Sequence, residues 1–280
     1  MIILEPFCFC TNNVPGNDLL HALDIAKACG FRHVELSAID GISEQINADG
    51  YSPAYVRRIQ AELDQRGLTC YAVSGHCDMT DELQFRRLLK KIRFAADIGA
   101  KYLNTRCGPK DRYPIFLEHI KEAAELAISR GITINLESYG DIVGPASECG
   151  PVFETLNLEN VQYNYDAGNT FRYARGDICI HEDLQAATKQ PSYLHMKDTS
   201  IRDGWIYNDP IGAGALDIPN ILAALEHHSP VIPCSLELPM GFRVRLSDLS
   251  FDFLSPSDDE VCQAVTQSVS YLQTCAAIQL

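Results

Sequence analysis

The sequence predicts a single (β/α)₈ barrel, and three observations carry that expectation. Short apolar, β-rich runs alternate with longer helix-period segments over all 280 residues. Eight strand-helix units follow one another with no linker or low-complexity stretch between them, which argues for a parallel sheet. The segment after the first strand reads Cys10-Thr11-Asn12-Asn13, where an open doubly wound sheet usually carries a glycine-rich fingerprint. Eight repeats closing on themselves account for the chain better than an open sheet does.

The first strand spans Ile2 to Cys10, and a helix from about Asn17 to Cys29 ends at Gly30. His33 to Ser37 is the second strand. The helix after it runs from about Ser52 to Arg66, announced by Ser52-Pro53 and stopped by Gly67. Thr69 to Ser74 and the helix Asp81 to Ile98, with Gly99 as its C-terminal stop, make the third unit. Tyr102 to Thr105 and Pro114 to Arg130 make the fourth, and Ile132 to Leu136 with a helix of roughly Ala146 to Leu156 the fifth. Val161 to Tyr165 is the sixth strand, with a helix near His181 to Thr188. Tyr193 to Met196 is the seventh, followed by a long loop and the helix Ile218 to His227. Val231 to Leu238 is the eighth strand, and Asp258 to Ala277 the closing helix. One catalytic domain over residues 1–280 is expected.

Bulk properties narrow the function. The formal net charge is −14, from 37 acidic and 23 basic residues, a field that repels nucleic acid and anionic membranes. The densest basic run, Arg86, Arg87, Lys90, Lys91 and Arg93, has the offsets of a solvated helix face. The 11 cysteines are scattered, contain no CxxC pair and are odd in number, so reduced thiols in a cytoplasmic protein are expected. No basic segment followed by an apolar run opens the chain, and no stretch of about 18 apolar residues occurs. A protein neither secreted nor membrane-spanning is expected, with self-association into a homo-oligomer left open.

In such barrels the active site lies at the C-terminal ends of the strands. Strands five to eight end there in Glu137, Asp166, His195 and Glu237. Three carboxylates and one imidazole suit Mn²⁺, Mg²⁺ or Co²⁺ and tolerate Zn²⁺. Each residue has a plainer reading. Glu137 would pair with Arg106, Asp166 would cap its loop, His195 would be a bonded core histidine, and Glu237 a strand-end charge. One such residue on each of four consecutive strands makes coincidence the weaker account.

The chain resembles the xylose-isomerase-like TIM barrels, the superfamily of sugar-phosphate isomerases and epimerases. The resemblance rests on Leu136-Glu137, Tyr165-Asp166-Ala167-Gly168-Asn169, His195-Met196-Lys197-Asp198 and Leu236-Glu237, with Gly212-Ala213-Gly214-Ala215-Leu216-Asp217 before the seventh helix. It implies that Glu137, Asp166, His195 and Glu237 ligate one divalent ion, Mn²⁺ first and Mg²⁺, Co²⁺ or Zn²⁺ as alternatives. It also implies that Glu137 and Glu237 double as the acid/base pair. The chemistry is consistent: a hydroxy-ketone chelates the ion, one carboxylate removes the proton between its oxygens, and a carboxylate on the opposite face returns it. The expected activity is therefore isomerisation or epimerisation of a keto-sugar or sugar phosphate. A lyase using the same enolate is the alternative, such as a keto-inositol or dehydroshikimate dehydratase or a C-glycoside-cleaving subunit. Asn169 stands where related epimerases often carry histidine. The extra histidines of the three-metal DNA-repair nucleases are missing apart from His76, so nuclease activity is not expected.

His76, Arg106, Asn169, Lys197 and Arg202 are the substrate-contact candidates. Lys197 would reach an oxyanion or pair with Asp198 or Glu35. Arg106 and His76 would hold substrate oxygens or orient a ligand. Arg202, like Arg243 and Arg245, would recognise an acid group or be an exposed loop charge. Trp205 and Tyr207 would wall the substrate or pack on another subunit.

Overall fold

A computed structural model of the chain describes residues 1–280. Seven strands, β1 (Ile3–Cys10), β2 (His33–Ser37), β3 (Thr69–Ser74), β4 (Tyr102–Thr105), β5 (Thr133–Glu137), β6 (Val161–Asp166) and β7 (Tyr193–Met196), each pair in parallel with the next. The chain then forms β8 (Asp198–Arg202) and β9 (Trp205–Asp209) before returning as β10 (Val231–Leu236). Strand β10 pairs in parallel with both β7 and β1 and closes the barrel. Strands β11 (Phe242–Arg245) and β12 (Phe251–Phe253) join β8 and β9 in a separate antiparallel sheet, and β13 (Ala277–Ile278) lies along the start of β1.

The helices follow the strands in order: α1 (Leu19–Ala28), α2 (Pro53–Arg66), α3 (Glu82–Ile98), α4 (Tyr113–Ile128), α5 (Gly150–Leu156), α6 (Ala167–Tyr173), α7 (Ile180–Gln185), α8 (Ile218–Glu226) and α9 (Asp258–Cys275). Their starts obey local chemistry. Asp18, Ser52, Asp81 and Asp217 each accept a backbone N–H of the first turn, and Ser257 with Glu260 closes a reciprocal capping box. Gly67 and Gly99 end α2 and α3 at φ values of 68° and 89°, which a Cβ would strain.

Aliphatic and aromatic side chains fill the layer between strands and helices, but the middle of the barrel is polar. Ser192 Oγ donates to Asn135 Oδ1, Asn135 Nδ2 to Asn104 Oδ1, and Asn104 Nδ2 to Glu35 Oε1, at 3.1, 2.9 and 2.9 Å. A buried polar chain of this kind persists only when its members are satisfied. This one runs up to the residues at the barrel mouth.

The expected elements are present, with differences that have local causes. Helix α5 begins at Gly150 rather than near Ala146, because Asp183 takes the amides of Ala146 and Ser147 at 2.9 and 3.0 Å and holds that stretch as loop. The long loop after the seventh strand is a hairpin. Asp203 and Gly204 have φ values of 51° and 76°, the geometry that an Asp-Gly pair supplies at a two-residue turn. Helix α6, absent from the sequence reading, starts directly at Asp166, whose Oδ1 accepts the Asn169 amide at 2.8 Å.

Asp198 organises the segment that follows this hairpin. Its buried carboxylate accepts the amides of Thr199, Gly212, Gly214 and Leu216 at 2.9–3.1 Å. A Cβ at Gly214 would overlap that carboxylate, so the Gly-Ala-Gly-Ala run is dictated by backbone approaching Asp198. Asp198→Ala strands four backbone donors, those of Thr199 and Leu216 buried, and is expected to lower unfolding free energy by about 2–4 kcal/mol. Chemical denaturation reads this out; a variant as stable as the parent would remove Asp198 from its organising role.

Candidate metal centre

Glu137 and Asp166 are the last residues of β5 and β6, His195 lies in β7, and Glu237 immediately follows β10. Asp166 is in register with His195 across β6 and β7, and Ser235 with His195 across β7 and β10. All four side chains therefore meet at one level, with exposures of 1, 0, 1 and 4%. One ligand-type atom from each lies within 4.8 Å of all the others.

The buried side of the cluster is fixed. His195 Nε2 lies 3.0 Å from both oxygens of Glu35, which also accepts from Asn104 Nδ2 at 2.9 Å and Ser235 Oγ at 2.5 Å. A carboxylate on one ring nitrogen sets the tautomer and turns the other nitrogen outward. Each glutamate is likewise held by asparagine amides, Glu137 by a second one from Asn164 Nδ2 to Oε2 at 3.0 Å. Glu137 Oε1 accepts from Asn169 Nδ2 at 2.6 Å, and Glu237 Oε1 from Asn12 Nδ2 at 3.3 Å. Asn13 clamps the backbone around Glu237, donating to Leu236 O and accepting from Leu238 N. Lys197 Nζ reaches Asp166 Oδ2 at 2.7 Å and Glu237 Oε2 at 3.0 Å.

The remaining atoms converge. His195 Nδ1 is 2.8 Å from Glu137 Oε2 and 3.0 Å from Glu237 Oε2. Nevertheless His195 Nδ1 and Glu237 Oε2 make no aligned hydrogen bond. Donor atoms that crowd one point without bonding one another suit a shared cation. Three carboxylates and an imidazole, with no thiol, fit a hard or borderline divalent ion.

Electrostatics point the same way. Burial pushes Asp166 up to about 6 against Lys197, with Glu137 and Glu237 adding to the rise. Burial also works against ionised Glu137 and Glu237, yet both are held low. His76 and His195 do this for Glu137, and Lys197 and His195 for Glu237. His195 is raised well above the ordinary imidazole range despite its burial, by Glu35, Glu137 and Glu237. An ion at this point would replace the proton that His195 otherwise supplies to its neighbours.

The other expected site residues are placed as follows. His76 is buried with Nε2 3.3 Å from Glu137 Oε2, and burial holds it below the usual imidazole range. Asn169 and Lys197 line the cleft above the cluster with His76 and Tyr139. Lys197 pairs with Asp166 and Glu237, not with Asp198 or Glu35. Arg106 is not brought to Glu137; it faces Asp141 at 3.5 Å and lies over the Tyr139 ring. Arg202 is half-exposed, pairs with Asp209 at 2.9 Å and stacks on Tyr207, and does not line the cleft. Trp205 and Tyr207 are covered by Arg243.

Five contributors were not singled out from the sequence: Asn12, Asn13, Glu35, Asn164 and Arg172. A glutamate between Val34 and Leu36 in a strand was the available signal for Glu35, since an interior carboxylate needs a partner. The asparagines carried no comparable signal.

The sequence profile of the xylose isomerase-like TIM barrel family matches residues 23–265. No curated protein is significantly similar in sequence. Among solved structures, the IolI protein with a bound zinc atom has a TM-score of 0.71 at 18% identity, covering 97% of this chain and 99% of that one. D-allulose 3-epimerase from Methylomonas sp. gives 0.67 at 16%, covering 98% of each chain. The probable 3-DHS dehydratase AsbF from Bacillus anthracis gives 0.67 at 13%, covering 96% and 99%. At these identities the superpositions establish the barrel architecture.

Two outcomes test the cluster as a metal centre. Because an ion must displace the His195 proton, which is held well above the ordinary imidazole range, divalent-metal affinity should keep rising with pH through and beyond that range, with about one proton released per ion while His195 is protonated. Titration calorimetry in buffers of different ionisation enthalpy measures this, and a buffer-independent heat would refute it. Glu35→Gln, which removes no ligand, should weaken the ion by about 10–100-fold through loss of His195 orientation; an unchanged affinity would count against that role.

Proposed function

This chain belongs to the xylose isomerase-like TIM barrel family, and from that premise we propose that it is a divalent-metal-dependent isomerase or epimerase of a keto-sugar or a charged derivative of one. Glu137, Asp166, His195 and Glu237 would hold the ion. Mn²⁺ heads the choice for a mainly oxygen donor set with one imidazole, ahead of Mg²⁺, Co²⁺ and Zn²⁺. The ion supplies polarisation of the substrate carbonyl and a counter-charge for the oxygens next to the reacting carbon.

The observation that supports this reading is that one oxygen of each glutamate, Oε2, converges on the centre while asparagine amides hold both carboxylates in place. Glu237 gives Oε1 to Asn12 and turns Oε2 to the centre, while Glu137 gives Oε1 to Asn169 and has Oε2 at the centre with the Asn164 amide beside it. A carboxylate held by amide donors keeps its position while the oxygen that faces the centre gains and loses a proton. One glutamate, ionised, takes the proton from the hydroxyl-bearing carbon next to the carbonyl, and the other, entering the cycle protonated, returns a proton to the opposite face of that carbon. Atoms and charge balance without an external oxidant or reductant. Lys197, raised further above the usual lysine range by Asp166 and Glu237 against its burial, stays an ammonium and can donate to a substrate oxygen. His76 and Asn169, which line the same cleft, would meet the neighbouring hydroxyls. No helix is long and apolar enough to cross a membrane. The 11 free cysteines fit the reducing cytoplasm expected from the sequence.

The probable dehydratase among the structural neighbours favours a second reading, a lyase that uses the same proton abstraction and then expels a leaving group. Metal-loaded protein incubated with keto-sugars in deuterated water separates the two. Deuterium gained with the carbon skeleton intact supports epimerisation, loss of water or an aglycone supports elimination, and no exchange at all counts against both. Glu137→Gln and Glu237→Gln should each lower kcat by about 10²–10⁴-fold. Full activity in either variant would sink the two-glutamate mechanism.

A further inference from the structure

Three lysine and arginine side chains are buried in this protein: Lys91, Lys197 and Arg172. Lys91 pairs with Asp40 at 2.9 Å, and Lys197 with Asp166 and Glu237. Arg172 has no carboxylate partner. It is 6% exposed, and its one hydrogen bond is a 3.5 Å contact from Nη2 to the Tyr173 hydroxyl. A guanidinium carries five N–H donors that cannot be neutralised by deprotonation. Burying it without an anion is unfavourable, so a native chain that does so needs a reason.

The surroundings give one. The guanidinium carbon lies 4.8, 5.5 and 6.0 Å from the ring centres of Tyr173, Tyr139 and Phe251. These rings offer π-faces, a partial substitute for an anion that leaves the donor edge uncommitted. Arg172 lines the same cleft as Glu137, Lys197 and Glu237. It sits on α6, whose first turn is capped by Asp166 itself, so its position relative to the candidate metal ligands is fixed by helix geometry.

We infer that Arg172 is the receptor for a carboxylate on the substrate, which makes the substrate an acidic keto-sugar; this rests on the proton-transfer reading of the site above. The planar fork between aromatic walls matches a planar carboxylate. A phosphoryl group is the poorer match. It carries up to two charges and spreads its acceptors tetrahedrally, whereas the only other cation lining the cleft, Lys197, is bound to Asp166 and Glu237.

The test uses three probes that share one keto-sugar and differ at C6: fructose, fructuronate and fructose 6-phosphate. Titration calorimetry on Mn²⁺-loaded protein should show fructuronate binding roughly thirty-fold or more tighter than fructose, the scale expected for a desolvated charge pair. Fructose 6-phosphate should gain less. Arg172→Met should abolish the preference and leave Mn²⁺ affinity unchanged, and Arg172→Lys should restore it only in part. The ligand-free Arg172→Met protein should melt no lower than the parent. A fall in its melting temperature without any change in the probe preference would assign Arg172 a structural role and overturn the inference. Equal binding of fructose and fructuronate, no binding of either, or tighter binding of the phosphate would also overturn it. Deuterium exchange separates this failure from that of the parent reading. Exchange into fructose as fast as into fructuronate removes only the carboxylate assignment, while Arg172-dependent binding without exchange into any probe removes the proton-transfer reading alone.

Discussion

Three carboxylates, Glu137, Asp166 and Glu237, lie almost wholly out of water within a few ångströms of one another, and the rest of the barrel mouth answers to that constraint. Like charges at this separation in a low-dielectric setting repel strongly. Lys197 meets two of them, His195 faces two, and Asn12, Asn164 and Asn169 donate to the glutamates. Glu35 in turn holds His195 from below. The polar chain through Asn104 and Asn135 exists because Glu35 itself must be satisfied inside the barrel. A cation at the point of convergence is the simplest completion of this arrangement.

The mouth is divided by chemistry. Its floor is charged and hydrogen-bonded, while Tyr139, Phe242 and Phe251 give one wall an aromatic face. Phe242 and Phe251 come from the antiparallel sheet built after the seventh and eighth barrel strands, which has a small apolar cluster of its own. An aromatic wall beside a charged floor lowers the local dielectric and strengthens electrostatic contacts made to a substrate. It also explains how Arg172 is retained in the cleft without a carboxylate beside it.

Much of the barrel was legible because its signals are local. Ser52-Pro53, Gly67 and Gly99 mark helix ends through their own capping and backbone preferences, and the eight apolar runs lie in register order. The four candidate ligands were legible because the barrel's directionality assigns strand ends to one rim. The hairpin at Asp203-Gly204 is also written in the sequence as an Asp-Gly pair, inside a segment whose length otherwise reads as a long loop. Helix α6 was not legible, since a seven-residue helix beginning on a strand's last residue leaves too short a period to stand out.

The sequence by itself determined the repeating unit, the closure of eight strands and the four residues that face a common rim, because periodicity, caps and strand polarity are properties of neighbouring residues. Only the tertiary structure decided which partners those residues take. It sent Lys197 to Asp166 and Glu237, turned Arg106 toward Asp141, placed Glu35 behind His195, and left Arg172 without a counter-charge. Those pairings join residues from different strands and loops, up to 225 positions apart in the case of Asn12 and Glu237. Barrel closure, not local preference, brings them within hydrogen-bond reach.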